Sequence, residues 1–478
     1  MSNQDPLGAL ASVAGDAWLV GGALRDRLLG RATADYDIAV AGDPALLARQ
    51  LSRDAGGHAF VLSEGFGGWR VVARRRDWQV DLLPVAEGRI EADLAARDFT
   101  INALALPLAT LTDGGGFARD IDDAALIDPY GGVLDLRERR LRMVSHDGFE
   151  RDPLRALRLA RLKCQLGFTV DDATRAAARR TAARLERVAA ERVFVELKRI
   201  VCCDRALDGL EEMDALGATD VVLPELTALR GVSQSPYHHL DVYEHTRAVL
   251  AETIALQRDP EPAFAEHAGG VAATLAEPLA DELTRGEALR LGALFHDVAK
   301  PRTREVVAEG RVTFLGHDVA GAALASEVLG RLRASERLRR YVAALTEHHL
   351  ALGFLVHRAP LGRRDIYGYL RACEPVEVDV TVLSVADRLA TKGEAVRERA
   401  IESHMALARE LVGEALAWRE APPRAPVKGD ELTQELGIRP GRELGRVLEE
   451  LREASFAGEV HTREESLELA AELYERGR

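Results

Sequence analysis

Cysteine is scarce in this chain of 478 residues, with four in all. Cys164, Cys202, Cys203 and Cys373 form no CxxC pair and no spacing that suits a metal. That argues against a disulfide or cysteine–metal framework and fits a reduced, cytoplasmic protein. Long apolar runs are missing too: nowhere do the roughly 18–20 uninterrupted apolar residues of a bilayer span occur, so no membrane partner is expected. The opening "MSNQDPLGALASVAGDAW" has no basic segment followed by an apolar one, so no signal peptide is expected. Internal repeats and low-complexity tracts are absent. An excess of positive charge is lacking as well, the formal net charge being −14, which at first sight speaks against a nucleic-acid partner. Charge is local, however. From Arg137 to Arg205 there are 18 Lys/Arg against 10 Asp/Glu, a net of +8 that leaves −22 for the remainder. A basic block inside an acidic chain is an electrostatic footprint for nucleic acid.

What is present is ample apolar material, 47% of residues, in a chain too long for one core; about 150 residues per domain suggests three or four domains. Residues 1–140 mix short β-like runs ("AWLVGG", "YDIAV", "HAFVLS", "WRVVARR", "WQVDLLPV") with glycine turns and a few helices. This reads as an α+β or α/β unit with a small sheet. From "RDPLRALRLARLKCQLGF" onward Leu154, Leu157, Leu159 and Leu162 recur at helical spacing, and Ala-, Leu- and Arg-rich helices dominate. "RGVSQSPYHH" (230–239) is a break, "QRDPEPAFAEHAGG" (257–270) reads as a loop or insertion, and "WREAPPRAPVKGDE" (418–431) as a proline-bearing linker. Four units are expected: 1–140, 141–235, 236–400 and 401–478.

The densest chemistry lies in "VGGALRDRLLGRATADYDIAV" (20–40). In a strand, residues i and i+2 share a face, so Asp35 and Asp37 offer two carboxylates together, with Tyr36 turned into the sheet. Adjacent carboxylates repel, and a divalent cation relieves them; Mg²⁺ takes one or two carboxylates and fills its shell with water and phosphate oxygens. Gly21 and Gly22 leave backbone N–H groups open to close approach by phosphate, and Arg25 adds a cation. The set suits a nucleoside triphosphate and a two-metal displacement. Asp81 in "VDLL" is a candidate third carboxylate.

The order of motifs is specific: "GGALRD", "DYDIAV", "ARDFTINALAL", "DPYGGVLDL", then "ERDPLRALRLARL". Over about residues 18–205 it resembles the tRNA nucleotidyltransferase/poly(A) polymerase family, the bacterial type of the polymerase-beta-like nucleotidyltransferases. The resemblance implies an N-terminal head with a small mixed sheet followed by all-helical neck, HD and tail regions, and template-independent addition of CMP and AMP from CTP and ATP to tRNA 3′ ends. It also implies roles. Gly21, Gly22 and Arg25 match the triphosphate turn, and Asp35 and Asp37 the catalytic Mg²⁺ ligands. Arg97, Asp98 and Asn102 match the segment that handles ribose and triphosphate. The family reads the base with Glu-Asp-x-x-Arg; here Asp152 and Arg155 match while Arg151 replaces the glutamate. Spaced three apart on one helix face, such an acceptor–donor pair can satisfy the edge of cytosine or adenine, and Arg158 and Arg161 continue that face toward the phosphates. Only 15 residues separate Asp81 from Arg97, an interval that in CCA-adding members holds a flexible loop; its shortness resembles the CC-adding subset.

A second constellation is ordered His…His-Asp…Asp: His245, then His296 and Asp297 in "LGALFHDVAKPR", then Asp387 in "SVADRLAT". It resembles the HD phosphohydrolase superfamily over about residues 236–395 and implies a divalent metal that activates water against a phosphoester. His317 and His348 or His349 are candidates for a second metal. HD modules fused to such nucleotidyltransferases resemble repair phosphatases or 2′,3′-cyclic phosphodiesterases, and the tail resembles the C-terminal extension of those fused proteins. The expectation is therefore a tRNA 3′-end nucleotidyltransferase with an HD phosphohydrolase module. The alternatives are a CC-only, A-only or poly(A) polymerase, or an HD phosphohydrolase whose N-terminal unit only binds RNA.

Overall fold

The computed structural model describes residues 6–11, 16–63, 67–75, 77–111, 123–235, 237–307, 310–393 and 397–476. The chain forms two compact units, Met1–Val222 and Leu223–Arg478.

The first unit opens on one six-stranded sheet: β1 (Ala17–Val20), β2 (Asp35–Val40), β3 (Gly57–Ser63), β4 (Gly68–Ala73), β5 (Gln79–Pro84) and β6 (Ala105–Pro107). Their order is β3-β4-β5-β2-β1-β6. The sheet is mixed, since β2 and β5 run parallel while the other neighbours are antiparallel. β2 is polar where it begins and buried where it ends, at Ile38, Ala39 and Val40, so its first residues face the cleft and its last anchor the core. That core joins Val20, Ala39, Val85, Ile90, Leu94, Ala103 and Ala105. Asp43 starts the helix Pro44–Asp54 by accepting the Ala45 N–H at 2.8 Å.

Helices then take over. Leu154, Leu157, Leu159 and Leu162 are all buried, which leaves Arg155, Arg158 and Arg161 on the less buried side of the helix Arg155–Leu166. Asp171 caps Asp172–Thr181. Glu212, buried in Ala206–Leu216, accepts from Arg175 at 2.8 and 3.1 Å and from Lys163 at 3.0 Å, tying three helices together.

The second unit is built on the helices Val242–Arg258, Arg285–Phe295, His317–Arg331, Glu336–His348, Glu377–Ala390 and Glu398–Glu420. Thr284 and Glu287 form a reciprocal capping box at the start of Arg285–Phe295. Ten of that helix's 11 residues are buried, as expected for a central helix without a polar face. Two short ribbons interrupt the helices, Pro278–Ala280 with Leu283–Thr284 and Glu305–Val306 with Val312–Thr313. Beyond the linker, Gly429–Leu436, Arg442–Ala457 and Arg463–Arg476 enclose a small core of Val427, Leu432, Ile438, Val447, Leu451 and Ala470.

Of the loop or insertion expected at 257–270, the loop is corrected. The stretch holds the end of Val242–Arg258, the helical turns Glu261–Phe264 and Ala265–His267, and the start of Ala268–Leu275. Pro262 sits in a first turn, where a missing N–H breaks no helical bond, and Ala263 and Phe264 are buried. Among the described residues, no helix is long and apolar enough to cross a membrane.

Candidate functional site

β1 ends at Val20, opposite Asp37 in the register. The chain turns at once into the helix Gly21–Leu28, so the Gly-Gly turn emerges beside the paired carboxylates. Gly21 has φ +71°, and a Cβ there would lie 2.6 Å from Arg97 Nη1 and 3.0 Å from Asp37 Oδ2. The positive φ favours glycine, and any Cβ would displace the tips of Arg97 and Asp37. At Gly22 a Cβ would meet Arg25 only at an ordinary 3.5 Å. The cleft, about 680 Å³, is lined by Gly21, Gly22, Arg25, Asp35, Asp37, Arg97, Asp98, Asn102, Arg155, Arg158 and Arg161. Every nucleotide-handling residue read from the sequence except Asp152 is thus brought to one place.

A chain of charged hydrogen bonds holds one wall. Arg25 grips Asp26 at 2.8 and 2.9 Å and donates to Asn102 Oδ1 at 2.9 Å. The Asn102 amide donates to Asp98 at 3.0 Å, as does the Phe99 N–H at 2.8 Å. Arg158 bridges Asp98 and Glu196, both at 3.3 Å, and Arg161 reaches Glu196 at 2.6 Å. Burial would raise the Asp98 carboxyl, but Arg158 and these donors hold it below the ordinary carboxylate range. Glu196, buried and 35 to 38 residues from its two arginines, had no sequence signal.

Asp37 is pushed the other way. Burial raises its carboxyl, and Asp81 and Asp35 add to this against Arg97. A buried carboxylate whose surroundings disfavour its charge is one that a hard divalent cation stabilises, so Asp37, with Asp35 beside it, fits a divalent metal. Asp81 lies next to Asp37 in the parallel register and is forked by Arg70 at 2.6 and 2.7 Å.

Asp152 and Arg155 do not share a helix face. Asp152 ends the short helix Gly148–Arg151 in an extended conformation, before the next helix begins at Arg155. The intervening Pro153 disfavours helical backbone at the residue before it. Asp152 pairs with Arg192 at 3.1 Å, Arg151 with Asp147 at 3.0 Å, and Arg155 donates to the carbonyls of Arg97 and Ala96 at 3.1 and 2.6 Å.

The second unit gathers imidazoles around Asp297. His245 comes from Val242–Arg258, His296 and Asp297 follow the buried Arg285–Phe295, His317 opens His317–Arg331, and His349 follows Glu336–His348. His296, His317 and His349 each point Nδ1 at a backbone carbonyl, of Ala293, Phe314 and Thr346, at 2.7–2.9 Å. With Nδ1–H donated there, Nε2 carries the lone pair inward, the arrangement of a metal-binding histidine. Nε2 of His245, His296 and His317 is buried without a hydrogen-bond partner. Distances to Asp297 are 3.1 Å from His296, 3.3 Å from His317, 3.7 Å from His245 and 3.8 Å from His349. His245, His296 and Asp297 make one three-donor group; Asp297, His317 and His349 make another. Asp387 stands 3.0 Å from His245. Burial, with His296 beside it, holds the His349 imidazole down at about 4, so it is neutral and free to ligate near pH 7. These donors fit a divalent metal. His348 belongs to neither group. Lys300, 2.6 Å from Asp297, and Arg388, which lines the same cleft of about 520 Å³, were not singled out in the sequence; Lys300 follows Asp297 by the helical spacing of three, the one available clue.

A mixed sheet carrying paired strand carboxylates beside a glycine turn and an arginine-lined cleft defines a polymerase-beta-like nucleotidyltransferase head. Family comparisons agree: "Poly A polymerase head domain" matches residues 17–142, "Probable RNA and SrmB- binding site of polymerase A" 167–229, and "HD domain" 264–392. His245 lies ahead of the HD match and joins the cluster through the fold. An A-adding tRNA nucleotidyltransferase of Deinococcus radiodurans is 37% identical over 94% of both chains. A CC-adding tRNA nucleotidyltransferase of Thermus thermophilus is 36% identical over 97% of this chain and 94% of its own. Among solved structures, a CCA-adding enzyme in its apo form superposes with TM-score 0.62 at 20% identity, over 97% of this chain and 92% of that one. The Thermotoga maritima CCA-adding enzyme complexed with tRNA does so with TM-score 0.59 at 19% identity, over 99% and 94%. The chain belongs to the tRNA nucleotidyltransferase/poly(A) polymerase family, and it is a nucleotidyltransferase that carries an HD domain.

Proposed function

We propose that this protein adds part of the CCA sequence, one base type only, to tRNA 3′ ends without a template, with Asp35 and Asp37 as Mg²⁺ ligands. The observation that carries the site is the pair of same-face carboxylates beside the Gly21 turn and Arg97. Bound Mg²⁺ would activate the terminal RNA hydroxyl and neutralise the triphosphate. Gly21 keeps the turn low enough for phosphate to approach its N–H groups, while Arg25 and Arg97 supply fixed cations. Arg158 and Arg161, braced by Glu196, face the incoming CTP or ATP. Arg179, Arg180 and Arg184 are exposed and suit RNA phosphates.

The restriction to one base type is supported by the interval between Asp81 and Arg97, which is filled by the turn Ala86–Gly88 and the helix Ile90–Ala96 and has no room for a long flexible loop. Relatives named A-adding and CC-adding, nearly equal in identity, support the same reading. The test is incorporation of labelled CTP and ATP into tRNAs ending before, within and after CCA. Either CC addition to the bare end or A addition to the CC end is expected, and complete CCA synthesis would overturn the restriction. Asp35→Ala or Asp37→Ala should abolish addition and leave tRNA binding within a few-fold; activity near wild type would mean the N-terminal unit only binds RNA.

The HD unit serves as a metal-dependent phosphohydrolase for phosphoesters at RNA 3′ ends. His245, His296, Asp297 and Asp387 hold one metal in this reading, and His317 and His349 extend the site from Asp297.

A further inference from the structure

The sheet offers the head cleft a third carboxylate, and an arginine occupies it. The parallel register of β2 and β5 sets Asp35 opposite Gln79 and Asp37 opposite Asp81. The antiparallel register of β4 and β5 sets Arg70 opposite Asp81. Strand alternation places Asp35, Asp37, Asp81 and Arg70 on one face, and all four line the cleft. Arg70 Nε donates to Asp81 Oδ1 at 2.6 Å and Nη2 to Oδ2 at 2.7 Å, so both carboxylate oxygens are engaged by one planar fork. Isolated surface pairs are weak, but this pair is bidentate and mostly shielded, with side-chain exposures of 30% and 18%. Its backbone is also fixed, because β4 is paired on both edges and Val71 beside Arg70 is wholly buried.

We propose that Arg70 is a positioning residue that withholds Asp81 from the metal site, leaving Asp35 and Asp37 as its free carboxylates and so weakening and tuning its hold on the divalent ion. This rests on the reading of Asp35 and Asp37 as a metal pair. The opposite arrangement, in which Arg70 merely orients Asp81 as a third ligand, predicts the opposite sign: loss of Arg70 would then weaken metal binding.

Mn²⁺ binding, followed by loss of the free-ion paramagnetic signal, separates the two. The full chain carries His296→Ala and Asp297→Ala so that the HD residues do not compete. Arg70→Gln should lower the half-saturating Mn²⁺ concentration about tenfold, since it frees a carboxylate and removes a positive charge from beside the ion. Adding Asp81→Asn to Arg70→Gln should cancel that gain. Arg70→Lys, which keeps the charge without the fork, should tighten binding about threefold and carries the test if Arg70→Gln fails to fold. Unchanged or weaker Mn²⁺ binding in these variants, at an unshifted melting temperature, overturns the proposal. Asp37→Ala is the separate control: Mn²⁺ binding that survives it would overturn the metal reading of the head itself.

Discussion

Gly21 occupies a point where backbone and side-chain demands coincide. Its φ of +71° disfavours any Cβ, and the space a Cβ would need is held by Arg97 and Asp37. Gly21→Ala should therefore cost about 1 kcal/mol in stability, a small shift in melting temperature. Nucleotide addition should fall by about a hundredfold or more, because displacement of Arg97 or Asp37 by an ångström misplaces reacting groups. A melting curve and an incorporation assay on the same preparation check both. The Gly-Gly turn and the Asp-x-Asp pair were legible without a structure because each is a local rule: left-handed backbone favours glycine, and strand residues two apart share a face. The partners of charged side chains were not. Asp152 pairs with Arg192, 40 residues on, and Asp81 with Arg70 across strands; no periodicity encodes either choice.

Between elements, buried carboxylates act as fasteners. Glu212 joins Arg175 and Lys163 from two other helices. Burial would raise its carboxyl, but these two cations hold it below the ordinary range. A carboxylate with a lowered folded pKa stabilises the fold above its unfolded value and loses that contribution as pH falls through the folded one. Glu212→Gln should destabilise the first unit by about 2 kcal/mol at neutral pH, below the usual cost of breaking a buried pair because Arg175 keeps some exposure. The gap between variant and wild type should stay constant down to about pH 4.5 and close below it, as denaturant melts across pH would read. The amphipathic helix Arg155–Leu166 was plain from its leucine spacing. Glu212 and Glu196 were not, since in sequence they look like any surface glutamate on a charged helix.

Across the molecule, the two candidate metal sites belong to different compact units and share no ligand. His296→Ala together with Asp297→Ala removes adjacent donors of one site and none of the other. This double variant should lose phosphohydrolase activity, assayed with Mg²⁺, Mn²⁺ and Ni²⁺, and retain nucleotide addition. Loss of addition at an unchanged melting temperature would mean that the units are coupled, and retained hydrolysis would remove the HD cluster from the mechanism.

The order of motifs along the chain already carried the family and the mixed-sheet head ahead of helices, and the Gly-Gly turn and Asp-x-Asp pair are short enough for local geometry to impose them. Folding settled the rest. It brought His349 and not its neighbour His348 to Asp297, added Lys300 beside it, left Asp152 outside the helix of Arg155 and paired with Arg192, and gave Asp81 to Arg70. Those outcomes depend on which surfaces pack together over tens of residues, where burial makes a single choice of partner far more favourable than its alternatives.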